Sequence, residues 1–197
     1  GGRGDKTASK TLNRATDTTR QPGSTFKILA AYSAALDAGG LTLASVQDDA
    51  PYTYAGANGK SVNNYDRRYR GFTTLREAIT DSINIVTVKT LAQAGVSLGW
   101  QYVQEYGFTT VDSRDMNEAL ALGGITQGVS NLELTAAYAA IANQGTYIRP
   151  KFYTKILDHD GNVLIDNTTP ESHTVIKDTT AWLLTSAMED VMTSGTG

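Results

Sequence analysis

Ser24 and Lys27 stand three residues apart in the stretch Ser24-Thr25-Phe26-Lys27. If that stretch is helical, their Cβ atoms lie roughly 5–6 Å apart on one face, and the lysine amine can reach the serine hydroxyl. A serine is a poor nucleophile until a neighbour removes its proton, and a lysine can remove it only where burial or nearby cations keep the amine neutral at working pH. Ser24 in a first helical turn also gains from free backbone N–H groups and the positive end of the helix dipole, which favour a developing oxyanion. A second pair, in Ser82-Ile83-Asn84, offers a hydroxyl and a carboxamide two residues apart at a joint between two predicted helices. It suits a proton shuttle and a hydrogen bond to a substrate amide. Each pair also has a plain structural reading: Ser24 caps a helix and Lys27 is solvated, while Ser82 is an N-cap and Asn84 a turn residue.

The elements that must position these groups are mostly helical. Ser24 to Leu36 reads as an Ala-rich helix after Pro22-Gly23, stopped by Gly39-Gly40 and apolar over most of its surface, hence buried. Thr73 or Thr74 caps a helix through Ile79, and Ser82 opens another through Gln93, stopped by Gly95. Further helices are expected over Leu98–Gly107, Asn131–Asn143 and Thr179–Met192, and a β-hairpin over Lys155–Ile165 around an Asp-Gly turn. The predicted organisation is a loop and the Ser24 helix over 1–40, an aromatic-rich loop region over 41–72, a helical region over 73–145, a β-hairpin over 146–170 and a C-terminal helix over 171–197. In the loop region, most of Tyr52, Tyr54, Tyr65, Tyr69 and Phe72 are expected to pack onto the helices, with Phe26 a partner; the competing reading is that they line a substrate groove.

Composition narrows the function classes. The 197 residues are 40% hydrophobic, with 17 Lys+Arg against 20 Asp+Glu and a net charge of −3. That balance lacks the basic surplus of a nucleic-acid binder, so no nucleic-acid partner is expected. With no cysteine, zinc-thiolate, iron–sulfur and cysteine-nucleophile chemistry are excluded. His159 and His173 are the only histidines, both in or near turns, so neither a His-based dyad nor a metal site is expected, and no cofactor is called for. Asp158-His159-Asp160-Gly161-Asn162 lacks the downstream Glu of a calcium loop and reads as a turn. Arg3-Gly4-Asp5 and Asn167-Thr168-Thr169 are too short to mean more than loop composition.

In their wider context these segments resemble the transpeptidase domain of the bifunctional (class A) penicillin-binding proteins. The likeness runs through Asn13-Arg14-Ala15-Thr16, Arg20-Gln21-Pro22-Gly23-Ser24-Thr25-Phe26-Lys27 and Thr74 to Asn84. It continues through Ala121 to Ser130, Leu132 to Tyr138, Asn143-Gln144-Gly145 and Ser194-Gly195-Thr196-Gly197. The resemblance implies an α+β fold, mainly helical in this chain, with a small β-hairpin and most of the central antiparallel sheet lying outside it. It implies a serine D,D-transpeptidase that cross-links peptidoglycan stem peptides through an acyl-enzyme and is acylated by β-lactam antibiotics. Ser24 maps to the nucleophile, Lys27 to the lysine of its motif, Ser82 to the proton-relay serine and Asn84 to the amide-binding asparagine.

One element departs from that family. Its third motif, Lys-Thr-Gly on an edge strand, does not occur here; Lys89-Thr90-Leu91 lies on the helical side of the second motif. The resemblance therefore implies a fragment, whose activity alone is in question, with a remainder of the domain or another chain covering the apolar face of the Ser24 helix that would otherwise be exposed. It also implies a location at the extracytoplasmic face of the bacterial membrane, anchored in the full-length protein although no anchor is expected in this chain. The competing readings are a serine β-lactamase-like hydrolase, for which no Glu-x-x-Leu-Asn element is found, and a non-catalytic binding fragment.

Overall fold

The computed structural model describes residues 4–5, 8–55 and 59–197. Arg3 of the Arg3-Gly4-Asp5 tripeptide and Gly56 of the expected loop lie outside them. The Ser24 helix runs through the centre. It begins with a 3-10 turn, Gly23–Thr25, passes through a π turn, Ile28–Tyr32, and ends as α1, Ser33–Asp37. Its sequence carries no charge between Ile28 and Leu36, and Phe26, Leu29, Ala30, Ala31, Tyr32, Ala34 and Ala35 are fully buried. The expectation that its apolar face would lie exposed is therefore corrected: the chain's own helices cover it. The π turn directly after Lys27 is of the kind that recurs at functional sites, because one extra residue per turn re-aims the side chains around it.

The covering helices are α2, Leu75–Thr80; α3, Asn84–Ala94; α4, Val96–Glu105; α5, Asn131–Ala142; and α6, Asp178–Ser194. Two of their starts carry reciprocal caps: Thr74 with Glu77 opens α2, and Ser130 with Glu133 opens α5. Helix α3 is buried on several sides, and its two inward threonines satisfy their hydroxyls by donating to carbonyls one turn back, Thr87 to Ile83 at 2.6 Å and Thr90 to Val86 at 2.7 Å. Because Thr87 spends its proton there, it accepts from the buried Tyr32 hydroxyl at 2.8 Å. Helix α4 crosses the Ser24 helix at Gly99, where a Cβ would stand 2.6 Å from the Ala30 carbonyl oxygen and 2.3 Å from Leu91 Cδ1. Glycine permits that approach.

The strands among the described residues form only two-stranded antiparallel pairs. In chain order they are β1 Thr19–Arg20, β2 Val46–Asp49, β3 Tyr52–Thr53, β4 Ser61–Val62, β5 Gly71–Thr74, β6 Val129–Ser130, β7 Thr146–Ile148, β8 Lys155–Leu157, β9 Val163–Asp166 and β10 Ser172–Thr174. The pairs are β1 with β6, β2 with β5, β3 with β4, β7 with β10 and β8 with β9. The β8–β9 hairpin is the one expected, turned by Asp158, whose carboxylate accepts the Asp160 and Asn162 amides at 2.9 and 2.8 Å.

Residues 41–72 are more ordered than a loop, since β2, β3, β4 and the start of β5 lie within them. Their aromatics divide: Tyr52 and Tyr54 pack against the core, whereas Tyr65, Tyr69 and Phe72 are exposed, which corrects the expectation that most would pack inward. Phe26 packs edge-on to Phe108 instead, with ring centroids 5.0 Å apart. The region 146–170 is likewise more than a hairpin, because β7 opens it and pairs with β10 beyond it.

Candidate active site

Ser24 sits at the first turn of its helix, and the segment entering it is clamped on every side. Strand β1 pairs Thr19 with Ser130 and Arg20 with Val129. The Gln21 carboxamide then continues the ladder as a surrogate backbone: its Oε1 accepts the Ile125 amide at 2.9 Å, and its Nε2 donates to the Ile125 carbonyl. Thr25 Oγ1 donates to the Pro22 carbonyl at 2.7 Å, and Tyr138 from α5 donates to the Thr25 carbonyl at 2.6 Å. Gly123, at φ +71°, lies against Gly23 so closely that a Cβ would stand 2.6 Å from the Gly23 oxygen. The stretch from Ala121 to Ser130 thus acts as the mould for the turn that presents Ser24. The Ser24 hydroxyl is exposed and has no hydrogen-bond partner among the described residues.

Lys27, one turn along, is 3% exposed. Its Nζ donates to the Ser82 carbonyl at 2.6 Å, to Ser82 Oγ at 2.9 Å and to Asn84 Oδ1 at 2.7 Å. These are three neutral acceptors, and no carboxylate pairs with the amine among the described residues. Burial therefore acts unopposed by a counter-charge and pulls the Lys27 pKa down to about 7. The two protonation states use the site differently. An ammonium saturates its three donors on the three acceptors; a neutral amine donates to the Ser82 carbonyl and Asn84 Oδ1 and turns its lone pair to a hydroxyl. The sequence spacing suggests contact between Lys27 and Ser24; the structure instead joins Lys27 to Ser82 and Asn84, with Ser24 at the edge of the same cleft.

Ser82 is not the N-cap expected of it. It lies where α2 ends: its amide donates to the Ile79 carbonyl at 3.1 Å and the Ile83 amide to the Ala78 carbonyl at 2.9 Å, the two bonds of a Schellman closure. The residue at this position is left-handed, with φ +53° for Ser82. Glycine or asparagine usually fills it, because a Cβ there costs about 1 kcal/mol or more. Asn84 is the first residue of α3, and its carboxamide is pinned at both ends, Oδ1 on Lys27 and Nδ2 donating to the Asn63 carbonyl at 2.7 Å.

Two open cavities meet at this point. One of about 530 Å³ is bounded by Ser24, Ser82, Asn84, Tyr65, Arg70 and Thr196 among others. A more apolar one of about 340 Å³ adjoins Lys27 and is walled by Ile28, Tyr32, Tyr138 and Met192. Burial raises the Tyr138 pKa to about 12, so this phenol stays a neutral donor. Sequence reasoning missed the residues that surround Asn84: Asn63, Asn64 and, behind them, the buried Asp49. The only signal for them was the polar run Asn63-Asn64-Tyr65-Asp66 inside an aromatic-rich stretch.

The profile of the penicillin binding protein transpeptidase domain matches residues 2–197. Penicillin-binding protein 1F of Bacillus subtilis is 40% identical over 188 residues, covering 95% of this chain and 25% of that protein. Penicillin-binding protein 1A of Neisseria flavescens is 36% identical, covering 95% of this chain and 24% of that protein. The chain thus spans about a quarter of these relatives. Among solved structures, penicillin-binding protein 1A from Haemophilus influenzae superposes with a TM-score of 0.80 at 28% identity, over 94% of this chain and 32% of that one. No helix of the described residues is long and apolar enough to cross a membrane. The clamped serine turn, the buried lysine and the match along almost the whole sequence lead to one conclusion: the chain belongs to the penicillin-binding protein transpeptidase domain family.

Proposed function

We propose that the chain carries the acylation machinery of a serine D,D-transpeptidase that cross-links peptidoglycan on the outer side of the bacterial membrane. The observation that carries this reading is Lys27: an amine buried without a counter-ion, its pKa drawn to about 7, hydrogen-bonded to Ser82 and Asn84 beside the exposed Ser24. Ser24 Oγ attacks the carbonyl between the last two D-alanines of a stem peptide, and its proton passes to the neutral Lys27. Ser82 returns that proton to the leaving amine as the peptide C–N bond breaks and D-alanine departs. The amine of a second stem peptide then attacks the acyl carbon; its proton passes through Lys27 to Ser24 Oγ as the ester C–O bond breaks, which frees Ser24 and closes the cross-link. The positive end of the Ser24 helix favours the developing oxyanion, and Asn84 holds the substrate amide. A β-lactam follows the first half and stays on Ser24.

The hydrolase alternative needs a carboxylate free to activate water; the carboxylates bounding the cleft, Asp66 and Asp81, are engaged by Arg70 at 3.1 and 3.9 Å. The test is labelling with a fluorescent penicillin followed by peptide mapping, on this chain and on a longer chain that includes a Lys-Thr-Gly strand. Label on Ser24 of the longer chain, lost in Ser24→Ala, is expected. An unlabelled longer chain sinks the reading.

A further inference from the structure

The segment between β4 and β5 contains a hydrogen-bonded chain that ends on the site. Asp49, at the end of β2, is fully buried, and both its carboxylate oxygens accept from Asn64 Nδ2, at 2.8 and 3.0 Å. It also accepts the Arg70 amide at 2.9 Å. Asn64 is 4% exposed, and its Nδ2 donates a second time, to the Arg68 carbonyl at 2.8 Å. Its Oδ1 accepts the two leading amides of α3, those of Asn84 at 3.1 Å and Ile85 at 3.2 Å. Every donor and acceptor of the Asn64 carboxamide is used. Its orientation is fixed by chemistry as well as by packing, since a flipped amide would turn its oxygen onto a carboxylate and its NH₂ onto two N–H donors.

Helix α3 has no cap of its own: Ile83, at the cap position, offers no side-chain acceptor. Asn64, twenty residues earlier in the chain, supplies the missing acceptor, and the carbonyl of its neighbour Asn63 holds Asn84 Nδ2. The pair Asn63-Asn64 therefore fixes both the backbone and the carboxamide of the residue whose Oδ1 receives the Lys27 amine. We infer that Asn64, oriented by the buried Asp49 carboxylate, is a positioning residue for the reaction at Ser24, acting through Asn84 on Lys27. The inference rests on the acyl-enzyme reading above and adds to it a component outside the two sequence motifs.

The test is a double-mutant cycle on the longer chain used for labelling, with β-lactam acylation followed for hours so that a thousandfold slower reaction is still read. Asn64→Leu is expected to lower the saturating acylation rate tenfold or more, as angstrom-scale misplacement of a reacting group does, while the dissociation constant of the β-lactam changes little. In an Asn84→Ala background the same substitution should cost nothing further, because the residue through which it acts is gone. Asp49→Ala, which leaves Asn64 in place but removes both oxygens that hold it, should show a smaller loss in the same rate, likewise absent with Asn84→Ala; this arm decides if Asn64→Leu does not fold. Wild-type acylation in either folded variant overturns the inference, as does an equal loss in the Asn84→Ala background. Failure of the wild-type chain to label at Ser24 overturns the functional reading instead.

Discussion

Replacing Lys27 by methionine should abolish a pH dependence of stability that the wild-type chain owes to this one amine. A lysine in the unfolded chain titrates near its ordinary value of 10.5, and in the folded chain near 7. Below pH 7 both states hold the proton, and the cost of burying an ammonium is borne in full. Between the two values the unfolded state binds the proton and the folded state does not, so stability rises with pH by about 1.4 kcal/mol per unit. The gain is complete above the unfolded value and is lost as pH falls through the folded one. Over the full interval it amounts to roughly 5 kcal/mol, and between pH 7 and 9 to about 2 kcal/mol. The window stops at pH 9 because half-buried tyrosines with raised pKa values, Tyr52 and Tyr138 at about 12 among them, lose stability above the ordinary tyrosine value of 10 and oppose the trend. Urea unfolding at pH 7, 8 and 9, followed by fluorescence of Trp100 and Trp182, should show the wild type gaining on Lys27→Met by about 2 kcal/mol. The rate of β-lactam acylation should rise through the same midpoint near pH 7. Parallel stability curves, or a wild type that gains nothing on the variant, refute the claim that Lys27 is held neutral by burial.

Three further outcomes follow from the same geometry. Ser82→Gly and Ser82→Ala both remove the hydroxyl and should slow acylation alike, yet the glycine variant should be more stable by about 1 kcal/mol, or about 2–4 °C in Tm, because only it is at ease at φ +53°; equal melting temperatures count against a strained backbone. Gly99→Ala places a Cβ 2.6 Å from the Ala30 carbonyl oxygen and should cost about 1–3 kcal/mol in urea unfolding, with a neutral result contradicting the close crossing of α4 on the Ser24 helix. Gly123→Ala, whose Cβ would meet the Gly23 backbone at 2.6 Å, should displace the Ser24 turn and reduce penicillin labelling about tenfold or more, and unchanged labelling would show that the turn does not depend on that contact.

What the sequence revealed was what local spacing encodes. Helix α2 could be read from its threonine cap, α5 from the helical spacing of its apolar residues, and the β8–β9 hairpin from its Asp-Gly turn. Burial of Lys27 followed from the uncharged run behind it. Features that long-range pairing creates stayed hidden: β1 is two residues long and exists because Val129 and Ser130 lie beside it, and β2 is built by β5 across more than twenty residues. Ser82 was misread for a related reason. A serine before a helix usually caps it, and only the closure of α2 onto Ile79 and Ala78 shows that this one ends the preceding helix. Residues 41–72 read as a loop because their strands are short and their aromatics irregular, and three of those aromatics face solvent.

Absence of a counter-ion for Lys27 among the described residues is the feature on which the site's chemistry turns, and its surroundings are arranged to preserve it. Carboxylates are close: Asp49, Asp66 and Asp81 all lie within 3.9 Å of the Arg70 guanidinium. Had one of them reached Lys27, the ion pair would stabilise the ammonium and raise its pKa, leaving no base at neutral pH. Arg70 gathers all three, and Asp49 is further spent on Asn64 and a backbone amide. The acceptors left to Lys27 are a carbonyl, a hydroxyl and a carboxamide, which steady the amine without fixing its charge. Loss of Arg70 should therefore act at a distance, freeing Asp81 beside Ser82 and moving the midpoint of the acylation pH profile upward. Arg70→Met read against wild type from pH 5 to 9 decides it, and an unshifted midpoint would show that the lysine is insulated by burial alone.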